Sequence, residues 1–128
     1  MTFDITHWPR FLEIKHVGQT RYADRLDGLR AIAQFSADQS ERKPVLINFL
    51  DADLVIESGP EPDYMLQAIT HPFFTGRSVA LIGISREAAA PAITAAGIRG
   101  VEIGVFATRA EAVEWLRGEH VDGAASRA

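Results

Sequence analysis

The sequence predicts a single α/β domain, built on a mixed and mainly parallel sheet of about five strands with four helices. Short apolar runs alternate with amphipathic segments of helical period, a pattern that favours parallel strands joined by right-handed crossovers. Only three residues separate the first two apolar runs, and so short a link requires antiparallel pairing. The predicted order is β-β-α-β-α-β-α-β-α over residues 1–118, and residues 119–128 are expected to be a flexible C-terminal tail.

The first three elements are a hairpin and an amphipathic helix. Strands are expected over residues 3–7 and 11–17, on either side of a turn at residues 8–10, with Gly18 ending the second strand. Thr20 is the expected N-cap of the helix. Charged residues, Arg25 among them, fall mostly off its apolar stripe, which is formed by Tyr22, Leu26, Leu29, Ile32 and Phe35.

The middle of the chain contains a buried strand and a short helix. Residues 45–50 are nearly all apolar, as in a strand that is covered on both faces. Asp51 and Asp53 are expected in the solvated loop that follows. Pro62 suits the first position of a second helix, which His71–Pro72 ends.

The last part of the chain predicts two more strands, each followed by a helix. The strands are expected over residues 79–84 and 101–106. Ser85 caps the third helix, which Gly97 ends in a left-handed conformation. Thr108 and Glu111 form a capping box that opens the fourth helix, and Gly118 ends it.

Composition excludes several classes of function. The chain has no cysteine, which excludes thiol chemistry and cysteine-ligated zinc. Its net charge is −4, from 13 basic and 17 acidic residues without a basic stripe, which disfavours nucleic acid. Apolar runs are too short to span a bilayer, and a cytoplasmic location is expected. The four histidines lack metal-ligand spacing, and no phosphate-binding glycine motif is present, so no metal or other cofactor is expected.

Asp51 and Asp53 follow a buried strand, as does the phosphoacceptor of a response-regulator receiver. A receiver also needs an acidic pair after its first strand, to hold magnesium, and a lysine after its last. Neither is present, and the two aspartates are interpreted as solvated loop residues.

One stretch of the sequence carries a family resemblance. The last strand leads into Phe106-Ala-Thr-Arg-Ala-Glu-Ala-Val-Glu-Trp-Leu116, and the chain opens with a hairpin followed by a glycine. Together these features resemble the SpoIIAA-like branch of the STAS superfamily over about residues 3–117. The resemblance implies a STAS-like fold and a bacterial, non-enzymatic regulatory or binding module. Its implied target is a protein partner or a small apolar, lipid-like ligand.

The resemblance also implies a candidate phosphoacceptor. Classical STAS proteins are anti-sigma factor antagonists, whose serine lies in an Asp-Ser-Ser-Gly motif before the helix that follows the third strand. The counterpart here is Ile56-Glu57-Ser58-Gly59, in which Ser58 and Gly59 match. Ser58 is therefore the candidate phosphoacceptor, and ordinary turn chemistry is the alternative for the same pair.

The similarity of this branch to CRAL-TRIO lipid-binding domains implies an apolar contact surface. The candidate ligand or interface residues are Tyr64 and Met65, on the second helix, and Phe73 and Phe74 after it. The alternative for these aromatic residues is that they close one end of the core.

Two further hypotheses from other classes stay open. An enzyme would need His16, Asp51 or Ser58 to converge in a cleft at the strand ends, where open α/β sheets place ligands. A purely structural subunit would form a homodimer through the aromatic loop.

Overall fold

The computed structural model describes residues 3–35, 43–55 and 71–117 of the chain. They form β1 (Phe3–His7), β2 (Leu12–Thr20), α1 (Tyr22–Phe35), β3 (Val45–Leu54), a 3₁₀ turn (Pro72–Phe74), β4 (Ser78–Ile82), α2 (Arg86–Ile98), β5 (Glu102–Phe106) and α3 (109–117). The helix predicted to begin at Pro62, the predicted helix end at Gly118 and the predicted tail lie outside the described residues. Within the described ranges there are three α-helices.

The five strands form one mixed sheet in which spatial order follows chain order, β1-β2-β3-β4-β5. Strands β1 and β2 pair antiparallel. The neighbours β2–β3, β3–β4 and β4–β5 all pair parallel. The predicted mixed, mainly parallel sheet with an antiparallel opening hairpin is therefore confirmed.

Strands β2 and β3 are longer than predicted. β2 continues past Gly18 to Thr20, because Gly18 and Thr20 pair with Ala52 and Leu54 of β3. The expected N-cap at Thr20 and the expected loop at Asp51 and Asp53 are therefore wrong. Thr20 ends a strand, and both aspartates lie on β3 with exposed side chains. The register of the pair shifts between Lys15 and Val17, which marks a bulge.

The helices cover the two faces of the sheet unequally. Because strand order follows chain order, right-handed crossovers place α1 and α2 on the same face. The main core lies there, and its fully buried members include Leu12, Ile14, Ile32, Val45, Phe74 and Val79. Helix α3 packs on the opposite face through Ala112 and Leu116, in a second cluster with Phe11, Leu46, Ala80 and Ile82.

The two predicted N-terminal caps are confirmed. Ser85 Oγ accepts a hydrogen bond from Ala88 N at 3.1 Å. Thr108 Oγ1 accepts from Glu111 N at 3.1 Å, which is the N-cap bond of a capping box, and the Thr108 hydroxyl also donates to Glu111 Oε1 at 3.1 Å. The predicted left-handed end at Gly97 is wrong, since α2 continues to Ile98 and the residue with positive φ is Gly100, at 76°.

Candidate functional site

A cavity of about 50 Å³ lies between helices α1 and α2 and the sheet. Side chains of β3, β4 and β5 form its floor, namely Ile47, Leu81 and Ile103. Helix α2 contributes only small side chains, those of Ala88, Ala89 and Ala92. Helix α2 therefore presents methyl groups to this part of the sheet.

Arg25 is the one charged residue among the described residues that line this cavity. It is buried, with 7% of its surface exposed. Its guanidinium carbon lies 4.6 Å from the centre of the Tyr22 ring and 5.6 Å from that of Phe49. Tyr22, Arg25 and Leu29 follow one another at spacings of three and four, so Arg25 shares the buried side of the helix. The expectation that Arg25 falls off the apolar stripe is wrong, and the same spacing rule would have placed it there.

His16 lies next to this region, on the same face of the sheet. Its ring stacks on Phe49 with centres 5.1 Å apart, and only 1% of its surface is exposed. Gly28 of α1 makes room for it, because a Cβ on Gly28 would lie 3.1 Å from His16 Nε2. Burial, and then the positive charge of Arg25, lower the pKa of His16 to about 4, although Asp24 acts in the opposite direction. From its place near a strand end, the sequence favours a partly exposed structural role for His16, and the structure shows instead that it is buried, as a neutral core residue at neutral pH.

Glu13 is the centre of a polar network on the opposite face. Its carboxylate accepts from Arg109 Nη2 at 2.7 Å, Trp8 Nε1 at 2.9 Å, Asn48 Nδ2 at 3.1 Å and Arg109 Nε at 3.4 Å. Burial raises the pKa of Glu13, but the hydrogen bonds from Arg109, Asn48 and Trp8 outweigh it and hold the pKa below its usual value. Since these donors occupy both carboxylate oxygens, the network is suited to joining α3 to the sheet and not to proton transfer.

This network is not among the features predicted from the sequence. The available signal was Asn48, a polar residue inside an otherwise apolar strand, together with Glu13 between the buried Leu12 and Ile14. A buried polar group needs a partner. That rule predicts that each of these residues has one, but the sequence does not indicate that Arg109, far along the chain, supplies it.

Two of the four candidate ligand or interface residues are described, and both are core residues. Phe73 is 8% exposed and Phe74 is 0% exposed, and their rings meet edge to face at 5.0 Å. The guanidinium of Arg77 covers the Phe73 ring at 3.8 Å and donates from Nε to Phe73 O at 2.6 Å. Phe73 and Phe74 therefore have the packing role that was the alternative for this pair. A ligand or interface role for them stays a prediction. Tyr64 and Met65 lie outside the described residues.

Of the three residues proposed for an enzyme, His16 and Asp51 are described, and their side chains do not come together. His16 and Lys15 are neighbours on β2 and point to opposite faces. Asp51 Oδ2 pairs with Lys15 Nζ at 3.1 Å, and both side chains are largely exposed. His16 is buried beneath α1, so His16 and Asp51 do not share a cleft. Ser58 lies outside the described residues.

The described ranges also lack two other kinds of feature. No group of three His, Asp or Glu side chains there could hold a metal ion. None of the helices in the same ranges has the length and apolar character needed to cross a membrane.

Solved structures that are similar to this chain include two with a SpoIIAA-like fold. An uncharacterized DUF3478-family protein with a SpoIIAA-like fold, from Shewanella loihica PV-4, is 19% identical, with a TM-score of 0.56 over 89% of this chain and 91% of that one. The anti-sigma factor antagonist SpoIIAA in its unphosphorylated form is 16% identical, with a TM-score of 0.59 over 91% of this chain and 98% of that one. No family model and no curated protein matches the sequence. The chain therefore has a SpoIIAA-like fold, as the sequence predicts.

Proposed function

We propose that this chain is a regulatory module that acts by binding a protein partner, as an anti-sigma factor antagonist does. The observation that supports the proposal is its likeness in fold to SpoIIAA over almost the whole of both chains. The chemistry of the described residues is compatible with a binding role. The carboxylate of Glu13 is saturated by donors and His16 is buried and neutral, so neither is poised to act on a substrate.

We place the regulated contact in the segment that follows β3. β3 ends at Leu54, and Val55 N still donates to Thr20 O at 3.0 Å, so the segment leaves the sheet at the carboxyl ends of the parallel strands. Ser58 follows within a few residues. A phosphate on Ser58 would add about two negative charges beside Glu57, which would alter the fit of a partner.

Partner binding can be tested with the full chain as bait. Proteins captured from cells are identified by mass spectrometry, produced in pure form and titrated against the chain by isothermal calorimetry. We expect at least one pure protein to form a saturable complex. If no captured protein binds the purified chain, the partner-binding proposal fails.

The phosphoacceptor role of Ser58 needs a separate test. The chain and its Ser58→Ala variant are incubated with ATP and any kinase among the reconstituted partners. We expect the wild-type chain to gain the mass of one phosphate and the variant to gain none. Equal modification of both proteins, or of neither, would remove Ser58 from this role while leaving partner binding in place.

A small apolar ligand is the second candidate function, and the cavity between α1 and α2 is the observation that favours it. Its walls are apolar, and it lies in the main core beside a buried cation. Native mass spectrometry of the purified chain tests this candidate: a mass that exceeds the sequence mass under native conditions only would support a bound ligand. A homodimer stays a prediction, which light scattering after size-exclusion chromatography would test.

A further inference from the structure

Strand β1 forms one edge of the sheet, and in the described part of the chain its one strand neighbour is β2. Its sequence is Phe-Asp-Ile-Thr-His, residues 3–7. The strand has no lysine and no proline, and its register with β2 runs without the shift that would mark a bulge. Lysine, proline and bulges are common means by which proteins keep an exposed edge from pairing with another chain. Strand β1 therefore has the form of an edge that accepts a further strand.

Two hydrogen bonds show which backbone groups of β1 face away from β2. Trp8 N donates to Phe11 O at 2.9 Å, so Trp8 and Phe11 are a hydrogen-bonded pair of the hairpin. Leu12 N donates to Pro44 O at 2.9 Å, on the side away from β1. Because hydrogen-bonded and non-hydrogen-bonded pairs alternate along an antiparallel ladder, the even-numbered residues of β1 bond to β2. The N–H and C=O groups of the odd-numbered residues therefore point outward from the edge.

The side chains of β1 differ between the two faces of the sheet. Phe3 and Ile5 lie on the face that α1 covers and are only partly buried. The Phe3 ring centre lies 5.6 Å from that of His16, so Phe3 packs against the core from the edge. Asp4 and Thr6 lie on the opposite face and are exposed. A strand added at this edge would cover apolar surface on one face and meet polar side chains on the other.

We propose that β1 pairs antiparallel with β1 of a second copy of this chain, about a twofold axis through Ile5. In this register all five residues of one strand lie opposite residues of the other, and the two Ile5 residues form a hydrogen-bonded pair. Asp4 then lies opposite Thr6 of the second copy, whose hydroxyl can donate to the carboxylate. An axis through Asp4 would pair only three residues of each strand and place two carboxylates opposite each other, which is unfavourable. The strand is therefore complementary to itself in one register.

The other edge of the sheet, β5, is less suited to pairing with itself. A twofold axis through the middle of β5 would place Gly104 opposite Gly104, so no side chains would meet at the centre. Glu102 would lie opposite Phe106, which offers it no polar partner. The Phe106 ring already covers Gly104, since a Cβ there would lie 2.8 Å from the ring. Of the two edges, β1 is the one whose side chains favour a second copy.

Sedimentation velocity of the full chain over a range of concentrations tests the proposal. Two short strands bury less area than a standard interface, so we expect a weak dimer with a micromolar dissociation constant. The average mass should rise from that of one chain toward that of two. Amide exchange followed by NMR locates the contact. Exchange at Ile5 N–H should slow as the dimer forms, whereas Thr6 N–H, which is bonded to β2, should change less.

Three substitutions separate this edge from other surfaces. Ile5→Pro removes an outward N–H and leaves the bonds between β1 and β2 in place, so the folded variant should lose the dimer. Thr6→Lys places an ammonium group opposite Asp4 of the second copy and should tighten the dimer about fivefold. Gln19→Lys is the matched control, because it adds the same charge at an exposed position of β2 beyond the residues that pair with β1. If Ile5→Pro fails to fold, the comparison of the two lysine variants still decides the matter.

Any of three results would overturn the inference: the mass of a single chain at every concentration, an undiminished dimer of folded Ile5→Pro, or equal dimer affinities of Thr6→Lys and Gln19→Lys. Slower exchange in β1 that appears only with the reconstituted protein partner would assign the edge to that partner and would also overturn it. The dimer does not depend on the proposed protein partner or on Ser58. Its failure is therefore distinguishable from failure of the capture and calorimetry experiments.

Discussion

At the scale of single residues, the buried polar groups define the two faces of the sheet. Glu13 is nearly fully buried and joins three other side chains on the α3 face. On the other face, His16 is buried as a neutral ring stacked on Phe49, and its Nδ1 has no hydrogen-bond partner in the described part of the chain. Hydrogen-bond donors therefore stabilise the charged form of Glu13, whereas burial favours the neutral form of His16.

Removing the Glu13 carboxylate should destabilise the chain. We expect Glu13→Ala to lower the free energy of unfolding by about 1–3 kcal/mol, because Asn48 and Trp8 lose an acceptor and the half-exposed Arg109 loses its partner. Urea unfolding at pH 7 measures the change. Asp51→Ala is the matched control, since the exposed Lys15–Asp51 pair should contribute less than about 1 kcal/mol. An equal effect of the two substitutions would contradict the structural role of the network.

The buried His16 predicts a pH dependence of stability. Its pKa is about 4 in the folded chain and 6.5 when exposed. Below pH 6.5 the unfolded chain binds a proton that the folded chain does not, so stability falls on acidification until about pH 4. Between pH 7 and pH 5 the loss from this one residue should be about 2 kcal/mol.

Urea unfolding of wild type and His16→Leu at several pH values tests this prediction. The variant should be less sensitive to acid than wild type over that interval. His7→Gln, at an exposed histidine, is the matched control for removal of an imidazole. An unchanged slope in His16→Leu would show that folding does not change the pKa of His16, which would contradict the prediction.

At the scale of elements, the junction between β4 and α2 depends on close backbone contact. Gly83 has φ of 81°, and a Cβ there would lie 2.4 Å from the Phe49 carbonyl carbon. β4 stops pairing with β3 at Ile82, opposite Asn48, so Gly83 lies where the chain turns across β3. Both the backbone conformation and the contact require glycine at this position.

Three alanine substitutions separate these effects. Gly100→Ala meets only the cost of its positive φ, about 1 kcal/mol, because nothing lies within 4 Å of its Cβ. Gly83→Ala adds a clash with the backbone of β3 and should cost clearly more, about 2–4 kcal/mol. Gly97→Ala, in the open last turn of α2, should stabilise the chain by up to about 1 kcal/mol. Thermal unfolding measures all three, and equal costs at Gly83 and Gly100 would contradict the contact.

At the scale of the whole molecule, the fold was predictable because its signals are local. The short link between the first two strands requires the antiparallel hairpin, and Ser85 and Thr108 mark where two helices begin. The ends of β2 and β3 were not predictable, since their extra residues pair only with each other. The polar network and the cavity were also missed, because Glu13–Arg109 and Arg25–Ala92 are brought together only by the complete sheet.

Hydrogen–deuterium exchange of the chain, with and without its reconstituted protein partner, tests the central claim most directly. A module that binds through the segment after β3 should show slower exchange in peptides that span residues 55–71, while the core strands β3 and β4 exchange as before. Unchanged exchange throughout the chain at saturating partner, or protection confined to other segments, would contradict the account.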